Sequence, residues 1–552
     1  MISAARSWPR GRAGARWLLG AGVIACLVML PIIALLMQAI QGSAGLWSHL
    51  VSTILPAAVA DTAILLGGVG LITAILGTST AWLVTAYAFP GRRVLEWALL
   101  LPLAVPTYII AYAYLDILHP IGSVQGAVRW MLGYSSPRAF RLPDVRSMTG
   151  CILLLGFVLY PYVYIPTRAM FLTQSANLID ASRTLGISRR AVFWHVALPL
   201  ARPAVAVGVS LVLMETLNDV GAAEFLGVRT LTVSIYTTWI TRSDLPGASQ
   251  IALSLLMVVV VLVALEKWAR GKQRYAIGAQ RARAVEPRQV SPTKGFLLLS
   301  AGLLPVLVGF GAPAIYLVTQ AWKRIEFAGL SPRFLSEAFN TIILASAATI
   351  VTVLFGLLIA YASRLRPGST TTWLQRLSTL GYAAPGTVVA IGVLIVLATV
   401  DRFIDRTAIA WLGVSTGLLF IGSGAALLYA YTVRFLAISA GGIDAGLSRI
   451  PLSFDHASRV LGQSAAGTFR HVHLPLSKAA ITAAGLLVFV DCVKELPATL
   501  LLRPLNVETF ATHLYGEAAR GTYEEASIAA LAIVVIGILP VILLSRMGQA
   551  RP

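Results

Sequence analysis

The sequence predicts an all-α, polytopic membrane protein of about twelve spanning helices in two parallel-repeat halves. Three observations predict it. The chain is 57% hydrophobic and only 12% charged, against the roughly 25% charged content of soluble domains. Apolar runs of about 20 residues, enough to cross a hydrocarbon core of roughly 30 Å as helix, recur along the whole length. A polar segment also occurs twice: 180–200 reads DASRTLGISRRAVFWHVALPL and 456–476 reads HASRVLGQSAAGTFRHVHLPL. Ala181, Ser182, Arg183, Leu185, Gly186, Ser188, Phe193, His195, Leu198 and Pro199 each meet their own kind 276 positions on, half of the 552 residues. Agreement at one offset over so many positions marks a duplicated unit. Helix follows because lipid cannot satisfy open backbone groups and no alternating pattern suggests a barrel.

The first half, 1–266, has spans expected near 17–38, 62–88, 95–117, 149–172, 203–220 and 248–266. Arg6, Arg10, Arg12 and Arg16 precede an apolar run that is long for a signal peptide and lacks a clear cleavage site, so the reading is a retained first span. Residues 39–61 hold no Lys or Arg, whereas the turn at Arg92 and Arg93 and the loop with Arg183, Arg189 and Arg190 are basic. The excess of cations on one side places the N- and C-termini in the cytoplasm. Segment 119–148 breaks the pattern with Arg129, Arg138, Arg141 and Arg146; its VQGAVRWMLG suits either a short helix on the membrane surface or bundle end, or a solvated loop.

Residues 267–294 form a basic cytoplasmic linker, suited to anionic lipid. The second half, 295–552, repeats the plan with spans near 296–320, 341–363, 374–400, 411–436, 479–497 and 526–545. Asn340-Thr341 opens a span as Asp61-Thr62 does, and Pro385 matches Pro106, where each proline should kink or break its helix. Matching Arg434 with Arg168 makes the chain about ten residues longer before the second polar segment. The formal charge of +20 is spread between apolar runs, so it reads as topology signal rather than nucleic-acid binding. Cys26, Cys151 and Cys492 lie in or beside apolar runs and imply neither disulfides nor a metal site.

Each duplicated segment reads as a bent two-helix elbow. Asp180 to Leu185 suits a helical turn, Gly186 a change of direction, and Ser188 the cap of a second helix that Pro199 should help to end. Phe193 and Trp194, with Phe469 in the second copy, are expected to project apolar bulk into a partner's groove.

These segments resemble the cytoplasmic signature loop of ATP-binding-cassette importer permeases, a Glu-Ala-Ala followed by Gly and later Leu-Pro, which docks the ATPase subunit. Carried over, the docking residues are Asp180, Ala181, Arg183, Gly186, Phe193 and Pro199, and in the second copy His456, Ala457, Arg459, Gly462, Phe469 and Pro475. His456 stands where an acid is expected, with Asp455 beside it as a substitute, so the two elbows should grip unequally. The fused arrangement, with GRRVLEWALLLPLAVPTYIIAYAYLDIL at 91–118 and KELPATLLLRP at 494–504, resembles the permeases of bacterial ferric-iron importers. That resemblance implies a multi-pass inner-membrane transport subunit, two copies of a cytoplasmic ATPase and a periplasmic iron-binding protein. Permeases for polyamines, thiamine and aminoalkylphosphonates are related, so other small solutes stay open as cargo.

After each elbow an apolar run ends in charges: Glu215, Asn218 and Asp219, then Asp491, Lys494 and Glu495. Positions four apart share a helix face, which predicts an inward acidic stripe lining the path or its gate. Carboxylates suit ferric iron, making Glu215, Asp219, Asp491 and Glu495 candidate ligands, with the phenols of Tyr236 and Tyr515 as further ones. The competing reading is that Lys494 pairs with a nearby acid. No phosphate-cradling GxxxxGK[ST] occurs, so the expectation is no cofactor on this chain and ATP acting through the partner. An ion-coupled secondary transporter is the rival, and it would need no docking elbows.

Overall fold

The computed structural model describes residues 12–41, 46–173, 188–270 and 287–549. It is 81% helical. Among the described residues nine helices are long and apolar enough to cross a membrane, or eleven when each of two bent pairs counts as one span. Among the described residues the strands are a pair of two-residue parallel segments, Tyr87–Ala88 and Arg288–Gln289, which tie the end of the linker to the turn after the second span.

The prolines break helices where expected. Pro106 and Pro385 sit as the residues before helices Thr107–Ile117 and Gly386–Leu412. In the first case the two arms of the span meet at 91°. Proline withholds an N–H and disfavours helix in the residue before it, so a new helix starts after each. The ninth and tenth spans therefore differ from the expected 374–400 and 411–436: they are Gly386–Leu412 and Gly424–Ser448.

That shift corrects the register between the halves. Ser147 and Ser423 both cap the span leading to an elbow, their hydroxyls accepting from Gly150 N at 3.1 Å and Ala425 N at 3.2 Å. They are 276 positions apart, the offset of the elbows, so no ten-residue extension exists and Arg434 corresponds to Val158 rather than to Arg168.

The chain divides into two compact units that do not follow the sequence halves. One holds Met1–Leu50, Ile235–Leu256 and Ser331–His513, so helix Arg12–Gln41 packs with Ser369–Thr379 and Gly386–Leu412. The other holds Val51–Ser234, Met257–Leu330 and Leu514–Pro552, where Ala312–Ala328 packs on Tyr523–Gln549 and Thr107–Ile117. Each unit thus takes the first span of the other half.

Within each unit the duplicated contacts recur. Helix Leu55–Ala86 crosses Pro161–Thr173 at Gly77, where a Cβ would stand 2.9 Å from Tyr160 O; helix Phe334–Leu365 crosses Gly424–Ser448 at Gly356, where it would stand 3.0 Å from Ala440 N. Only glycine lets backbones approach so closely. The Thr62 hydroxyl accepts from Leu231 N at 3.0 Å and the Thr341 hydroxyl from Phe510 N at 3.0 Å, satisfying a helix-start donor that water cannot reach. The Asp61-Thr62 and Asn340-Thr341 match of the sequence is thus one buried hydrogen bond made twice.

Candidate functional site

The second elbow is described throughout. Helix Leu452–Val460 ends at Gly462, whose φ of +78° is the left-handed turn that favours glycine. Ser464 then accepts from Gly467 N at 3.1 Å and starts the second arm. In the first elbow Asp180, Ala181, Arg183 and Gly186 lie outside the described residues; Ser188 accepts from Ala191 N at 3.4 Å, so the cap is the same.

Pro199 and Pro475 do not end the second arms. A five-residue π-helical turn, Phe193–Ala197 or Phe469–His473, precedes each Leu-Pro, and the helix runs on as Leu198–Asn218 or Leu474–Val493. Leu198 N bonds back to Phe193 O and Leu474 N to Phe469 O, so the wider turn absorbs the donor that proline lacks.

The aromatic positions also depart from expectation. Phe469 packs inward, 4.7 Å from the Tyr361 ring and 6.0 Å from Trp17, and Tyr361 donates to Ala465 O at 2.6 Å. Phe193 packs 5.2 Å from Trp82, leaving Trp194 exposed. A phenylalanine kept in both copies marks the neck of the elbow here. The outward apolar residues are Leu452, Phe454, Val460 (88% exposed) and Leu461 (79% exposed), beside exposed His456 and Ala457 and half-buried Arg459. Sequence reasoning passed over Leu461, although it recurs as Leu185 in the first copy.

Asp455 does not replace the missing acid on the surface. It is 2% exposed and paired with Arg364 at 2.5 Å, while Arg364 also donates to Leu447 O and Ile450 O. His473 Nε2 stands 3.2 Å from Asp455 Oδ1. Burial alone would raise this carboxyl, but the hydrogen bonds and charge of Arg364 outweigh it and hold Asp455 below the usual carboxylate range. The first copy has Ile179 and Ala197 at the matching positions, so its sequence carries no such group.

The charges after the elbows do not form two acidic stripes. Helix Leu198–Asn218 stops before Asp219, whose backbone is extended, and Asp219 turns to accept from Ala222 N at 2.9 Å at the start of Gly221–Phe225. Glu495 likewise follows helix Leu474–Val493 and caps Pro497–Leu502, accepting from Ala498 N at 3.0 Å and Thr499 N at 3.1 Å. Arg434 pairs with Glu495 at 2.6 Å. Once the helix ends, four-residue spacing no longer sets a common face. Asp491 pairs with Lys494 at 2.8 Å, as the competing reading held, and Glu215 and Asn218 are half-buried. The Tyr515 phenol donates to Glu224. Among the described residues no group of three or more His, Cys, Asp or Glu side chains could hold a metal ion.

The duplicated segment, whose second arm runs straight into a membrane helix in both copies, is the deciding feature. The family model described as "Binding-protein-dependent transport system inner membrane component" matches twice, at residues 73–273 and 352–551. The chain belongs to this family. Each match contains one elbow, so this inner-membrane, multi-pass permease carries two copies of the family domain in one polypeptide. It is similar to the Fe(3+)-transport system permease protein FbpB 2 of Haemophilus influenzae, 25% identical over 474 residues, 85% of this chain and 86% of the relative. It is also similar to the ferric transport system permease protein FbpB of Actinobacillus pleuropneumoniae, 22% identical over 503 residues, 88% of this chain and 70% of the relative. The sulfate transport system permease protein CysT of Escherichia coli is 27% identical over 246 residues, 43% of this chain and 85% of the relative.

Proposed function

We propose that this permease passes ferric iron across the inner membrane, receiving it from an extracytoplasmic binding protein while two copies of a cytoplasmic ATPase dock at the elbows. The observation that carries the cargo is length: a relative named for Fe(3+) transport aligns along 85% of this chain, through both copies of the domain, whereas the sulfate relative aligns with 43%. The elbow geometry supports the coupling. Val460 and Leu461 offer an apolar knob to a groove, and the second arm is one helix with the span behind it, so a push on the elbow reaches the membrane. ATP shifts the pore between inward and outward access only by favouring one state of the docked pair. With the elbows on the cytoplasmic side, both termini are cytoplasmic.

The cargo is tested by purifying the permease with its ATPase and binding protein and measuring competition for uptake among ferric iron, sulfate and 2-aminoethylphosphonate. Ferric iron should compete alone. Transport of either anion with no effect of iron would reassign the substrate while leaving the importer class intact.

A further inference from the structure

Each half carries, at the end of the spans opposite its elbow, a helix that buries a polar side chain and turns large apolar ones outward. In helix Ser123–Met131 the polar residues turn inward: Gln125 donates to Leu118 O at 2.7 Å and accepts from Leu142 N, and Arg129 donates to Pro120 O at 2.8 Å. Ile121, Trp130, Met131 and Leu132 turn outward, Trp130 being 82% exposed. The outer part of Gly386–Leu412 repeats the scheme. Asp401 is buried, accepting from Phe420 N at 3.0 Å and Ile421 N at 2.9 Å, while Phe403, Trp411 (85% exposed) and Leu412 face out. The first ends in Trp130-Met131-Leu132-Gly133 and the second in Trp411-Leu412-Gly413, each with a glycine of positive φ.

Water rewards the opposite arrangement, so these faces meet an apolar medium. We propose that both are bilayer anchors, reaching the interface of the leaflet away from the elbows with Trp130 and Trp411 at headgroup depth. Exposed Arg138 and Arg141 beside the first, and Arg402 and Arg406 on the second, supply cations for lipid phosphates. A protein partner that docks and leaves would bare these faces to water in each cycle, whereas lipid covers them throughout. The helices would then fix the height and tilt of each unit in the membrane, a role independent of the cargo.

The test places a spin label at Trp130→Cys and at Trp411→Cys, in a Cys26→Ser background, with the full chain in nanodiscs of phosphatidylethanolamine and phosphatidylglycerol. Cys151 and Cys492 are buried beyond reach of the label. Both labels should be relaxed by oxygen and shielded from an aqueous nickel chelate, unlike a label at exposed Ser135→Cys. Free access of nickel at both sites would overturn the proposal, and shielding that arises only on adding a binding protein would assign the faces to that protein. If a cysteine variant fails to fold, brominated lipid offers a second readout: wild-type fluorescence should be quenched more than that of the Trp130→Phe, Trp411→Phe protein, and equal quenching would count against the anchors.

Discussion

Arg364, in the last turn of helix Phe334–Leu365, holds Asp455 of the second elbow at 2.5 Å and spreads its remaining donors over Leu447 O and Ile450 O. One guanidinium thereby joins the long span, the preceding span and the elbow. Removing either partner leaves the other charge buried, which costs about 3–5 kcal/mol. Arg364→Ala or Asp455→Asn should therefore loosen the second elbow, seen as faster amide exchange over 452–473 and as ATP hydrolysis no longer tied to transport. The pair of changes Arg364→Met with Asp455→Leu should recover most of the stability, because neither charge is then stranded.

The same pair sets an acid limit. Asp455 is held below its ordinary pKa, so its stabilisation is complete above the unfolded value of about 3.9 and is lost as pH falls through the lowered folded one. Corrected for the pH dependence of intrinsic amide exchange, protection of the second elbow should show a loss below the unfolded value of about 3.9 that belongs to Asp455. Asp455→Asn should remove that acid step, measured by hydrogen exchange across the pH series.

Val460 and Leu461 separate docking from folding. Val460→Asp or Leu461→Asp changes an exposed side chain and should shift stability by no more than about 0.5 kcal/mol while abolishing co-purification of the ATPase. Phe469→Ala should instead cost about 2 kcal/mol, below the full range for a buried phenylalanine because the ring is half-buried. Thermal unfolding beside a pull-down distinguishes the two behaviours.

Arg434 neutralises Glu495, and the first half has Val158 in its place. Arg434→Met should cost about 3–5 kcal/mol and unseat helix Pro497–Leu502, whose first N–H groups Glu495 holds. Adding Glu495→Gln should return part of the loss, since the amide oxygen still accepts one of those hydrogen bonds. Denaturation of the single and double variants checks the coupling.

Much of this was readable in the sequence. The elbow repeat gave the turn at Gly462, the caps at Ser188 and Ser464 and the family, because these depend on local backbone chemistry. Pro106 and Pro385 broke their helices for the same reason. What failed depended on where helices end and which way side chains turn. The acidic stripe assumed that helix continued through Asp219 and Glu495, and both residues lie past its end, capping the next one. Phe193 and Phe469 read as outward because they are apolar in a basic segment, yet both pack inward on aromatic side chains. Arg434 was matched to Arg168 by residue type, and the capping serines Ser147 and Ser423 show the true register. The exchange of first spans between compact units is a long-range packing choice with no local signal.

The most direct measurement is uptake of radiolabelled ferric iron into proteoliposomes holding this permease, with the ATPase, the binding protein and ATP each added or withheld. The account predicts uptake only when all three are present, and its loss in Leu461→Asp. Uptake driven by an ion gradient without any ATPase would contradict it.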